Sequence, residues 1–150
     1  MIKDKYAYFK VIKKINLLAM NTTAYLLLRL AIGMSMFGHG LVRLPKLEGF
    51  SKWMTGSFAK SMLPESVVTP FAYLLPIAEF TIGVLLLIGL FTRSALVTGS
   101  MVMIVLIFGS SIIENWDAVP SQLIHIAFFA LLLNYSGANT WAVDRLIAKK

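Results

Sequence analysis

The stretch FAYLLPIAEFTIGVLLLIGLF, residues 71–91, is long and apolar enough to cross a bilayer, yet it carries a carboxylate, Glu79, near its middle. A spanning helix needs ~20 largely apolar residues. A charge at the bilayer centre costs ~2.5–3.5 kcal/mol on insertion scales, so it faces protein and has a partner or a task. A second apolar run, Thr22 to Leu41, holds Arg29 deep inside it. Opposite charges in two membrane-length runs describe an integral membrane protein with a polar interior.

Composition agrees. The chain is 58% apolar and 14% charged, with a mean hydropathy of +0.78; a soluble domain carries roughly a quarter charged residues. Its 150 residues suit one compact unit. Cysteine is absent, which excludes thiol, disulfide and Fe–S chemistry from this chain's own side chains. The net charge of +7 comes from basic residues that mostly flank apolar runs. That distribution fits membrane topology and anionic headgroups, and no nucleic-acid partner is expected.

Four spans are predicted, over residues 22–41, 71–91, 94–113 and 120–135, the last of them short. They form an all-α, integral membrane four-helix bundle. Gly89-Leu90-Phe91-Thr92-Arg93 reads as a tight turn that makes the second and third spans a hairpin. Pro45, Pro64 and Pro70 bracket the long first loop, and Pro120 suits a first helical turn. Within that loop, Leu47, Phe50, Met54, Phe58 and Met62 recur at spacings of three and four, opposite Lys46, Lys52 and Lys60. The pattern predicts an amphipathic interfacial helix over residues 46–63, either lipid-facing or a lid over the bundle. Phe50, Trp53, Phe58 and, near the C-terminus, Trp141 are the candidate membrane or partner contacts. Residues 1–21 read as a basic interfacial arm, 22–147 as the membrane domain and 148–150 as a basic tail.

Orientation follows from Lys and Arg. Lys3, Lys5, Lys10, Lys13, Lys14, Arg93, Arg145, Lys149 and Lys150 fall on one side, against Arg43, Lys46, Lys52 and Lys60 on the other. The excess puts both termini in the cytoplasm. The first span, with Arg29 inside it and no convincing small-x-small site after it, reads as uncleaved.

Arg29, His39, Glu79 and His125 are the ionisable residues inside the spans and the pocket or ligand-binding candidates. At ~1.5 Å per residue, Arg29 lies slightly inward of the midplane, while Glu79, His39 and His125 fall in the outer half. Arg29 is one candidate partner for Glu79, since a guanidinium fork fits a carboxylate. The tilt of side chains toward their helix N-termini weakens that pairing in antiparallel helices, and a histidine or water contact stands beside it as the alternative. A carboxyl with imidazoles can donate to and accept from a quinone carbonyl; an interhelical clamp that does no chemistry is the plainer reading of the same residues. His39 sits in Gly38-His39-Gly40, where the glycines allow a ligand or backbone to approach closely, or simply end the helix. No paired-histidine or Glu-x-x-His spacing supports a metal site, and no phosphate loop or nucleophile elbow is present.

The chain resembles the DoxX family of small bacterial membrane proteins, related to the small subunit of thiosulfate:quinone oxidoreductases. The resemblance rests on Leu28-Arg29-Leu30-Ala31-Ile32-Gly33, on Phe37-Gly38-His39-Gly40 leading to Arg43-Leu44, and on Glu79-Phe80-Thr81-Ile82-Gly83. It continues through Leu87-Ile88-Gly89-Leu90-Phe91-Thr92-Arg93 and Trp141-Ala142-Val143-Asp144-Arg145. It implies a four-span bundle in the bacterial inner membrane, with Arg29, His39, Glu79 and Arg93 in family-like positions. It also implies a subunit or accessory of a quinone-linked redox system, quinone being the one cofactor expected. Electrons would come from a protein partner, because these residues hold no redox centre. Two other readings stand beside it. One is a non-catalytic scaffold or assembly factor docking a protein, and the other is a transporter built by homo-oligomerisation.

Overall fold

The computed structural model describes residues 20–148, and the described residues form helices and turns without a strand. Most of the basic arm expected over residues 1–21, and residues 149 and 150 of the tail, lie outside them.

Helix α1, Thr22–Arg43, starts at Asn21, whose side-chain oxygen accepts from the backbone N–H of Thr23 (2.7 Å) and Ala24 (3.3 Å). That cap satisfies donors a helix start leaves open. The helix runs past the predicted end at Leu41 and turns through a 3-10 segment, Leu44–Lys46, into α2, Leu47–Phe58. Pro45 stands in the first turn of that segment, where its missing N–H costs nothing.

The second span begins earlier than expected. Helix α3 is Glu65–Ile88, so Pro70 lies inside the helix with Pro76 and does not bound the loop. The extra turns are held by burial: Val68, Ala72 and Leu75 pack with Met54 of α2 in an apolar cluster edged by Phe50 and Phe58. This packing offsets the backbone bond lost at an internal proline, which membrane helices tolerate where neighbours cover the site. Helix α3 ends at Gly89 in the left-handed conformation (φ 70°), which glycine adopts without steric cost. Then follow α4, Thr92–Ile112, and α5, Val119–Asn134, with Pro120 in its first turn. A 3-10 turn, Ser136–Ala138, and the short α6, Val143–Ile147, complete the order.

Helix α1 lies antiparallel along α3, and glycines set how closely. The Gly40 Cα faces the Phe80 backbone, and the Gly83 Cα faces the Phe37 backbone, each so near that no Cβ fits between them. A Cβ on Gly33 would stand 3.1 Å from that of Leu86. Small residues of this kind let helices approach in membranes. On the other side α4 packs on α5, with the Phe129 ring 2.8 Å from where a Gly99 Cβ would be. Contacts of α3 with α4 and of α1 with α5 join the two pairs. Tyr25, Met36, Leu86, Leu96, Phe129 and Leu132 fill the core between them. Three stretches are long and apolar enough to cross a membrane: Thr22–Phe58, Glu65–Ile88 and Thr92–Ile112, with Val119–Asn134 a shorter apolar helix. Leu27, Met34, Leu74, Val97, Phe108 and Ile124 point outward from them, as suits a hydrocarbon solvent. The chain is a multi-helix membrane protein.

The close α1–α3 contact gives a direct test. Gly83→Ala forces two backbones apart and is expected to cost ~1–3 kcal/mol. Gly38→Ala places its Cβ in open space and is expected to change stability by no more than about 0.5 kcal/mol. Thermal unfolding of the two variants in detergent separates them.

Candidate functional site

The α1–α3 register determines what Glu79 meets. Because Gly40 lies against Phe80, the C-terminal residue of α1, Arg43, stands beside the middle of α3. At ~1.5 Å per residue, Glu79 is ~13–14 Å along α3 from Ile88. Arg43 Nη1 donates to both carboxylate oxygens of Glu79, at 2.7 Å and 2.5 Å. Glu79 is thus paired with neither Arg29 nor a histidine. With the first span ending at Leu41, the sequence alone puts Arg43 among the loop charges. Two further residues of helix, with close glycine packing, bring it inside. Its side chain remains 29% exposed while that of Glu79 is 3% exposed, and its guanidinium carbon lies 4.8 Å from the centroid of the Phe50 ring.

His39 stands one helical turn before Arg43. Its ring centroid is 6.2 Å from that of His125 on α5. The nitrogens of His125 are both in use: Nε2 is 2.8 Å from Ser35 Oγ, and Nδ1 is 2.7 Å from the Ser121 carbonyl. A carbonyl only accepts, so Nδ1 carries the proton, and in the neutral ring Nε2 accepts from the Ser35 hydroxyl. His39 makes no hydrogen bond among the described residues. Nearby, Gln122 Nε2 donates to Ser110 Oγ at 2.9 Å.

These groups line a cavity of about 270 Å³ between α1, α2, α3, α4 and α5. Its apolar wall includes Phe50, Phe58, Phe71, Leu75, Met103 and Leu106. Of the four pocket candidates, His39, Glu79 and His125 come together here. Phe50, Trp53 and Phe58 line the same space, the two phenylalanines half-buried and Trp53 exposed. No group of three or more potential metal-ligating side chains occurs among the described residues.

Arg29 belongs to the other end of the molecule. It is 2% exposed, and it donates from Nη1 to Asn139 Oδ1 (2.8 Å) and from Nη2 to the Trp141 carbonyl (2.7 Å). Asn139 Nδ2 donates in turn to Thr92 Oγ1 at 3.2 Å. Gly89 is required here a second time, since a Cβ would collide with the guanidinium. The Trp141 side chain itself is exposed. Asp144 closes the network: Oδ1 accepts from Phe91 N–H (2.7 Å), Oδ2 from Thr92 N–H (2.8 Å), and its own N–H donates to the Gly89 carbonyl (3.0 Å). A carboxylate thus caps α4 from a distant part of the chain. Burial pushes the Asp144 carboxyl up, but the amide bonds from Thr92 and Phe91, with the Arg29 charge, outweigh that and hold it below its ordinary value.

Sequence reasoning missed Arg43, Ser35, Asn139 and Asp144 as site residues. For Arg43 a signal existed. His39 and Arg43 are four residues apart, which puts them on one helix face. Nothing local marks Asn139 or Ser35, whose roles depend on tertiary contacts.

A small helical membrane protein with an ion pair and two imidazoles around an internal cavity is the class these features define. The DoxX family model matches residues 24–111, more than half of the chain, and the protein belongs to that family. The match contains Arg29, His39, Arg43 and Glu79 and stops short of His125, Asn139 and Asp144. No curated protein and no solved structure matches the chain.

The Asp144 cap has a pH signature. Its folded-state pKa is depressed, so its contribution is present above the ordinary value of 3.8 and is lost as pH falls through the lower folded value. Asp144→Asn removes the charge at the α4 N-terminus and is therefore expected to cost ~0.3–1 kcal/mol at neutral pH. The gap from the unaltered protein should close as the pH is taken below that ordinary value, read as melting temperature against pH in an acid-tolerant detergent.

Proposed function

We propose that the chain is a four-helix bundle of the bacterial cytoplasmic membrane that binds a quinone-type ligand in the Arg43–Glu79–His39 cavity. It would act as a subunit or accessory of a quinone-linked redox system whose electrons come from a partner protein. The observation that carries this reading is the cavity itself. It is largely apolar, with a few polar groups converging at the depth of Glu79, the pattern of small-molecule sites. Its volume, about 270 Å³, is near the lower end of the ~300–1,000 Å³ typical of ligand pockets, which suits one ring headgroup with its tail directed to lipid.

The Lys and Arg distribution supports a reading with both termini on the cytoplasmic side. The ion pair strengthens that assignment, because Arg43 no longer counts among the opposing loop charges. The docking alternative draws less support. Phe50 and Phe58, two of its three proposed anchors on α2, pack inward against the α3 cluster and leave Trp53 alone outside.

Extraction into lipid nanodiscs followed by mass spectrometry of bound lipids tests the proposal. The unaltered protein is expected to retain quinone near one per chain. Glu79→Gln, which frees Arg43 and alters the cavity floor, is expected to lose at least tenfold of it while eluting as a folded species. A stoichiometric protein partner without quinone would favour the scaffold reading instead.

A further inference from the structure

One polar group on the cavity wall has no role in the ion pair or the histidine contacts. Gln122 stands in the first turn of α5, three residues before His125, and lines the cavity. Its Nε2 donates to Ser110 Oγ at 2.9 Å. In that orientation its Oε1 is buried and accepts no hydrogen bond among the described residues. An amide oxygen takes hydrogen bonds and gives none, and leaving one buried and unpaired is unfavourable. The neighbouring groups differ from it. His39 lines the cavity without a hydrogen bond, so its neutral ring offers one N–H and one bare nitrogen. Arg43, beside it, can only donate. His125 is committed to Ser35 and Ser121. The cavity thus presents a fixed acceptor, a fixed donor and a group that is both.

We propose that Gln122 is a ligand-binding residue that accepts a hydrogen bond from the bound head, and that the cavity therefore holds a hydroxyl-bearing aromatic ring, a hydroquinone or phenol, more tightly than a ring that only accepts. The inference rests on the quinone reading above and adds the favoured form of the head and the residue that selects it. A hydroxyl meets both needs of the wall. Its proton goes to Gln122 Oε1, and its oxygen still accepts from the Arg43 or His39 N–H groups. A quinone carbonyl satisfies those donors equally well but leaves the Gln122 oxygen unpaired. The ring itself is suited by the aromatic faces of Phe50, Phe58 and Phe71. Such a head is also neutral, so it adds no charge where Glu79 already balances Arg43. By linkage, tighter binding of the reduced form raises the midpoint potential of the bound couple. A tenfold preference corresponds to about 30 mV for a two-electron couple.

The test titrates nanodisc-embedded protein, under anaerobic conditions, with decyl-benzoquinone, with its dithionite-reduced hydroquinone, and with the dimethyl ether of that hydroquinone. The quinone lacks the donor without added bulk, and the ether lacks it without a change of ring. The hydroquinone is expected to bind about tenfold tighter than either, the worth of one hydrogen bond to a buried acceptor. Gln122→Leu should weaken the hydroquinone by about the same factor, leave the quinone nearly unchanged, and so erase the preference. The ligand comparison on the unaltered protein stands even if that variant fails to fold. Quinone or ether binding as tight as hydroquinone binding, or a preference that survives Gln122→Leu, would overturn the inference while the quinone reading stands. Binding of neither redox form would overturn both.

Discussion

A carboxylate in the middle of an apolar helix must be neutralised or paired, and the rest of this structure is arranged so that Arg43 can pair with Glu79. The pairing needs α1 and α3 nearly in backbone contact, which Gly40 and Gly83 permit. It needs α1 to stay helical to residue 43 and then turn at once, which the 3-10 segment at Pro45 provides. The turn delivers α2 onto the first turns of α3, where Met54 meets Val68, Ala72 and Leu75. The cavity is the space left beside this crossing, so its floor is charged and its walls are apolar.

Arg29, buried, and Arg43, half-buried, divide the labour. At one end Arg29 ties α1 to the segment after α5 through Asn139 and the Trp141 carbonyl, while Asn139 and Asp144 tie that segment to Thr92 and Phe91 at the start of α4. Removing a member of that network leaves a buried polar group without its partner. At the other end Arg43 keeps N–H groups to spare at the edge of an open space. Arg43 borders the apolar cavity, which suits ligand recognition, whereas Arg29 is fully enclosed among polar partners, which suits rigidity.

The apolar runs made the helices legible, because length and hydropathy decide membrane spans. A fixed rise per residue puts His39, Glu79 and His125 in one half of the bundle, with His39 and His125 near one level, and the three line one cavity. Pro70 misled, since proline ends helices in water but is accommodated where packing covers it, as it does beside Val68 and Ala72. The partner of Glu79 was out of reach for a related reason. Helix ends are uncertain by one or two residues, and that uncertainty decided whether Arg43 was in a loop or in the core. Tilt arguments did separate Arg29 from Glu79, but they could not nominate a residue taken to be outside the span. The environment of Arg29 depends on Asn139 and Trp141, more than a hundred residues away, a contact that no periodicity encodes.

The most direct measurement is a double-mutant cycle on the ion pair, with Arg43→Gln, Glu79→Gln and both together, followed by thermal unfolding in nanodiscs. Arg43→Gln leaves the 3%-exposed Glu79 without a partner and is expected to cost ~3–5 kcal/mol, whereas Glu79→Gln leaves Arg43, 29% exposed, and is expected to cost less while the protein stays folded. The double change should recover most of that loss. Single changes that are mild and simply add in the double variant would mean the two charges do not depend on each other, and would contradict the account.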